Sequence, residues 1–161
     1  MVTALRVTES ADFIDAALQY EVSPYSYPAH EPDGLQRYGT SVGAVRGTIR
    51  DALKRYPALS HDEITALSSE LWNAPVFERR QAAIVLLQGR VDLLVANDLT
   101  RFEGFLRSAA SGSLVDQLVT DVLRPMLAAM DEATFARVRI VVRRWAGDPH
   151  PSVRAAARDL S

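Results

Sequence analysis

Basic residues spaced for a single helix face are the first chemistry this chain offers. Arg46, Arg50 and Lys54 recur at every fourth position, so on a helix they stand in one row. Between Arg37 and Arg55, five basic residues against one acid, Asp51, leave a local charge of +4. Between Arg137 and Arg158, six (Arg137, Arg139, Arg143, Arg144, Arg154 and Arg158) against Asp148 leave +5. The whole chain has 18 basic and 20 acidic residues, a net charge of −2, so the positive charge is concentrated and the remainder is acidic. Such clusters neutralise phosphates and would grip a nucleic-acid backbone without reading its bases. Arg143, Arg154 and Arg158 would line the mouth of a helical pair. The plainer reading of the same residues is solvated helix surface laced with internal salt bridges.

Other chemistries find little support. The histidines, His30, His61 and His150, are scattered without ligand spacing, and there are no cysteines, which removes disulfides, thiol catalysis and thiolate-held metals. Gly39 and Gly43 follow no strand and precede no Lys-Ser/Thr pair, so they make no phosphate-binding loop. No Ser-His-Asp arrangement is apparent, and neither a metal nor a cofactor is implied. Glu78, beside Arg79 and Arg80, reads as a partner in local ion pairs. Asp116 falls near the start of a helix, where the dipole favours an anion whatever its function.

The elements that must position these groups are helices. Apolar residues recur at three- and four-residue spacing, with no sustained alternation, which makes the chain all-α. The first helix is expected over about Glu9–Tyr20, with Phe13, Ala17 and Leu18 inward. A Pro-rich loop follows at about 22–36, carrying Tyr25 and Tyr27, which are candidates to fold over a groove. Val42, Val45, Ile49, Leu53 and Tyr56 form the stripe of a second helix, stopped by Pro57. Ser60 and Glu63 make a capping-box pattern before Ile64, Leu67 and Leu71. Pro75 separates that helix from one bearing Val76, Phe77, Arg80, Ala83, Ile84 and Leu87. Asn97 is the expected cap of a fifth helix with Leu99, Phe102 and Leu106. Leu114, Leu118, Val122 and Leu123 stripe a sixth, kinked or closed by Pro125. The seventh, about Asp131–Trp145, should bury Phe135, Val138, Val142 and Trp145. The last opens at Pro151 and Ser152, with Ser152 as cap and Val153, Ala156, Ala157 and Leu160 on one face.

At 161 residues, with 48% apolar and 24% charged residues, one domain spanning 1–161 is expected. No stretch approaches the roughly 20 apolar residues that span a bilayer, and acids interrupt any leader-like run behind Met1, so a cytoplasmic protein without a membrane partner is expected. "LWNAPVFERRQAA" and "RWAGDPHPSVRAAA" share an order of features. A tryptophan near a helix end is followed by a proline turn, then by an arginine beside small residues. Trp72 and Trp145 are about two HEAT-like units apart. That spacing predicts HEAT-like helical repeats stacked into an α-α superhelix, and gives Trp72 and Trp145 interhelical packing roles.

"RYGTSVGAVR", "LWNAPVFERRQAAIVLL", "LVDQLV" and "RWAGDPHPSVRAAA" occur in an order that resembles the bacterial DNA alkylation repair proteins, the AlkD-like glycosylases built from HEAT-like repeats. The resemblance runs from about Tyr38 to the end. It implies a right-handed solenoid holding duplex DNA, damaged or branched, in a basic groove, and excision of cationic alkylated purines. Asp116 matches the family's catalytic aspartate, which would stabilise the sugar cation formed as the glycosidic bond breaks. Arg154 matches a phosphate-contacting arginine, and Arg46 and Arg80 fall at landmark basic positions. Gly112 stands where the family has a tryptophan, and the family's further tryptophan belongs to helices with no counterpart among these 161 residues, so two of the three groups of an aromatic-carboxylate cleft are not among them. The alternative is a catalytically inactive module that binds DNA structures or a protein partner.

Overall fold

The computed structural model describes residues 2–22 and 33–161. Tyr25, Tyr27 and most of the expected Pro-rich loop lie outside the described residues. Among the described residues the elements are helical, joined by turns and two isolated β-bridges. They group into two compact units, Met1–Arg90 and Val91–Ser161.

The first unit holds α1 (Val2–Tyr20), α2 (Val42–Arg55), α3 (His61–Asn73) and α4 (Phe77–Gly89). Helix α1 begins earlier than expected, because no breaker precedes Glu9 and Val7 extends the inward stripe to Val7, Ala11, Ile14 and Leu18. That stripe leaves Phe13 and Ala17 half-buried; Phe13 meets Tyr56 edge-on at 6.0 Å. In α2, Val45 and Ile49 point inward while Val42, on the first turn, is exposed. Ser41 caps α2 by accepting from the Ala44 N–H, and the capping box of α3 forms as expected between Ser60 and Glu63. Helices α1 and α4 both pack on α3 and on α2.

The segment from Asp33 to Thr40 is pinned to this unit at several points. Gln36 donates its N–H to the Pro75 carbonyl and accepts from the Phe77 N–H, at 2.8 and 2.9 Å. Thr40 Oγ1 donates to the Leu18 carbonyl. Gly39 lies at φ +88°, the left-handed region that glycine enters without steric cost. That explains the glycine in "RYG".

The second unit opens with two 3₁₀ turns, Val91–Leu93 and Ala96–Asp98, and continues through α5 (Leu99–Ser108), α6 (Gly112–Leu118), α7 (Arg124–Ala128), α8 (Glu132–Trp145) and α9 (Pro151–Leu160). Asp98, not Asn97, organises the start of α5: it is buried, and its carboxylate accepts from the Val95 N–H at 2.8 Å. Pro125 does not close its helix. A π turn over Val119–Leu123 widens the chain just before it, and α6 runs through that turn into α7. Asp131 caps α8. Phe135 is 40% exposed, so the inner face of α8 is Val138, Val142 and Trp145. At α9 the cap is His150, whose Nδ1 accepts from the Ser152 N–H, rather than Ser152 itself. Val153, Ala156 and Ala157 are buried where α9 packs on α5, α6 and α8, and their small size permits that close approach. Among the described residues, no helix is long and apolar enough to cross a membrane.

Candidate nucleic-acid interface

Helix α2 carries the clearest cationic surface. Its inner face, Val45, Thr48, Ile49 and Ala52, is buried, so Arg46, Arg50 and Lys54 fall on the outer face and are exposed. None of the three has an ion pair or side-chain hydrogen bond with a described residue. They flank an open groove of about 510 Å³ between α2 and α4, with Leu53, Val85 and Gly89 also in its lining.

Arg80 has a different job. It is 7% exposed, its Nε donates to the Trp72 carbonyl at 3.0 Å, and its guanidinium lies 5.4 Å from the Trp72 ring centroid. Burial pushes its pKa down. Beside it, Arg79 donates to the carbonyls of Glu70 and Leu71 and pairs with Asp15 at 3.1 Å. Carbonyls at a helix C-terminus lack intrahelical donors and gather partial negative charge, so two arginines from the first turn of α4 complete the end of α3. Arg154 repeats this arrangement in the second unit, where its Nη1 donates to the carbonyls of Asp148 and Pro149 at 2.7 and 2.9 Å. The similarity seen between the two tryptophan motifs is thus a shared clasp, an arginine early in one helix reaching back to the turn that ends the previous one. Arg154 remains half-exposed, whereas Arg80 offers no surface for a phosphate.

Glu78 corrects another expectation. Its side chain is buried, and the carboxylate accepts from the backbone N–H groups of Tyr38 and Gly39 at 2.9 and 3.0 Å. It anchors the "RYG" turn. The Tyr38 hydroxyl in turn donates to Asp15 at 2.7 Å. Burial, and then that carboxylate, push the Tyr38 phenol up from 10.0 to about 12. The fold favours the neutral phenol, so its contribution to stability is complete below 10.0 and falls as pH rises from there through about 12. Urea midpoints should therefore drop across that window in the natural chain and drop less in Tyr38→Phe; equal drops would refute the assignment.

In the second unit Arg143 and Arg158 are exposed, as are Arg137 and Arg144. The latter pair faces a cavity that spacing alone did not single out, because its other wall comes from α5. Asp116 is exposed on the second turn of α6, with no side-chain partner among the described residues. Since α6 packs on α9, Asp116 belongs to a helix adjoining the one that bears Arg154 and Arg158. At Gly112, one turn earlier, an added side chain would enter open space with no atom within 4 Å, so packing does not demand glycine there.

The described helices thus carry exposed cations on α2 in the first unit and on α8 and α9 in the second, with an exposed carboxylate on α6. Comparison with protein families is more specific: the model of the DNA alkylation repair enzyme family matches residues 16–160, and the chain belongs to that family. Searches of curated proteins and of solved structures found no match.

Proposed function

We propose that this protein binds duplex DNA through its phosphates, its helical pairs forming HEAT-like repeats. The observation that carries the reading is the row of Arg46, Arg50 and Lys54, exposed and without an ion pair among the described residues, in a chain of the DNA alkylation repair enzyme family. In the second unit Arg143 and Arg158 offer further phosphate contacts, and Arg154 adds the part of its guanidinium not engaged with the turn. Arg80 is left to packing. For each phosphate neutralised, the logarithm of affinity should fall by about 0.9 per decade of salt. Fluorescence anisotropy with a labelled duplex at several salt concentrations measures that slope, and a slope near zero would sink the proposal.

The finer reading is excision of a cationic alkylated purine. Asp116 would place its negative charge against the sugar as positive charge develops there, a stabilisation that grows toward the transition state. It predicts release of methylated guanine from alkylated duplex, abolished in Asp116→Asn with DNA affinity retained. Release at the uncatalysed rate in the natural chain would leave binding alone. The groove beside α2 favours one further reading, a scaffold for a partner helix, since Leu53 and Val85 offer apolar surface that phosphates do not use. Absence of DNA binding at low salt would turn the argument to that reading.

A further inference from the structure

A cavity of the second unit lies between the start of α5 and α8 and has a volume of about 550 Å³, within the range of small-molecule sites. Leu99, Val138 and Val141 give it apolar walls, Asn97 and Thr100 polar groups, and Arg137 and Arg144 a cationic rim. Residues 137 and 144 are two turns apart on α8, so both guanidinium groups serve the same face.

Two acids also line the cavity, but both are already engaged. Arg107 forks onto Asp148 through Nη1 and Nη2 at 2.8 and 2.6 Å, and Nη2 also meets Glu103 at 2.7 Å. Arg107 holds the Asp148 carboxyl below the usual carboxylate range, so the clamp persists where other aspartates begin to protonate. Arg144 has no side-chain partner among the described residues, and Arg137 reaches only the Thr134 hydroxyl. Three guanidinium groups, Arg107, Arg137 and Arg144, against two carboxylates leave the site a positive excess.

The cavity also borders a buried indole that can report on its contents. Trp145 lines the cavity and is 2% exposed, and its Nε1–H is buried without an acceptor among the described residues. Buried indole N–H groups ordinarily have partners, and an unanswered one is costly. The backbone of a duplex is too broad to enter a cavity of this size.

We propose that this cavity binds a small organic oxyanion, a compact apolar body carrying a phosphate or carboxylate that Arg137 and Arg144 hold. The site is separate from the DNA surface proposed above. Phenyl phosphate is the probe, with inorganic phosphate supplying the anion alone and benzyl alcohol the apolar body alone. The readout is the Trp145 indole N–H signal in proton–nitrogen correlation spectra, assigned with Trp72→Phe. Trp72, the other tryptophan, lies in the first unit and serves as control in the natural chain.

Phenyl phosphate is expected to move the Trp145 signal and not that of Trp72, to bind roughly tenfold more tightly than either fragment, and to lose roughly tenfold in Arg137→Gln/Arg144→Gln. Arg139→Gln, an exposed change on the same helix outside the cavity lining, should leave affinity unchanged. A still Trp145 signal, or equal weakening by Arg139→Gln, would overturn the proposal. A carboxylate probe, phenylacetate, separates the two anion sources: preference for either supports the site, and binding of neither overturns it. Duplex DNA added to the phenyl phosphate complex should not displace the probe; displacement would assign the cavity to the DNA surface and overturn its independence. Anisotropy measures DNA affinity separately, so failure here leaves the DNA reading standing.

Discussion

Glu78→Ala should lower the unfolding free energy by about 2–4 kcal/mol, measured from urea titrations of the natural and variant chains. The effect is large because Glu78 is 4% exposed and its carboxylate is the acceptor for two consecutive backbone N–H groups, those of Tyr38 and Gly39. A buried donor deprived of its acceptor forfeits about 1–3 kcal/mol, and relief of the buried charge returns part of that sum. Glu78→Gln separates shape from acceptor chemistry. The amide retains one oxygen but turns an N–H₂ group toward the second backbone donor, so a smaller loss of about 1–2 kcal/mol is expected. A partner in surface ion pairs, the role suggested by Glu78's neighbours in sequence, would cost about 0–1 kcal/mol in either variant. Losses that small would refute the anchoring role. The consequence extends beyond Glu78, since an untethered Tyr38 would no longer hold its hydroxyl against Asp15, and the high titration of that phenol should fall in Glu78→Ala.

What could be read in the sequence was local and periodic. The capping box of α3, the Val45 and Ile49 part of the α2 stripe and the small-residue face of α9 each depend on residues within a turn or two of one another, and the structure bears them out, while Val42 of that stripe is exposed. The errors arose where a distant partner decides. Glu78 adjoins two arginines in sequence, but its acceptor capacity goes to a turn some forty residues earlier. Arg80 carries the same charge as Arg50, yet helical spacing does not reveal that the end of α3 would need donors and draw it into the interior. Phe135 fits the apolar period of α8 but stands on its first turn, where the period outruns the packed surface. Pro125 marked an irregularity correctly, but the chain resolves it with a wide turn rather than a stop. Of the candidate site, the α2 row was legible because one helix suffices to align it; the oxyanion cavity was not, since Asn97 and Thr100 meet Arg137 and Arg144 only through tertiary packing.

That α2 row carries the largest expected effect on binding. Arg46→Gln/Arg50→Gln/Lys54→Gln should weaken duplex binding by about 10²–10³-fold at 0.1 M salt and reduce the magnitude of the salt slope by about 2.7. The slope follows from three phosphates at about 0.9 each, and the loss of affinity from extending that difference from 1 M salt to 0.1 M. Glutamine is suited to the test because it keeps a long polar side chain and high helix propensity, and these residues lie outside the buried face of α2. The variant should therefore unfold at nearly the natural denaturant midpoint, which separates a binding loss from a folding loss. Arg154→Gln is a poor substitute, since that guanidinium holds the Asp148 and Pro149 carbonyls and its loss would disturb the turn before α9. If the triple variant keeps both the slope and the affinity of the natural chain, α2 does not touch the phosphates. Its groove, with cations along one edge and Leu53 and Val85 between the helices, would then fit an acidic amphipathic segment better than a nucleic-acid backbone.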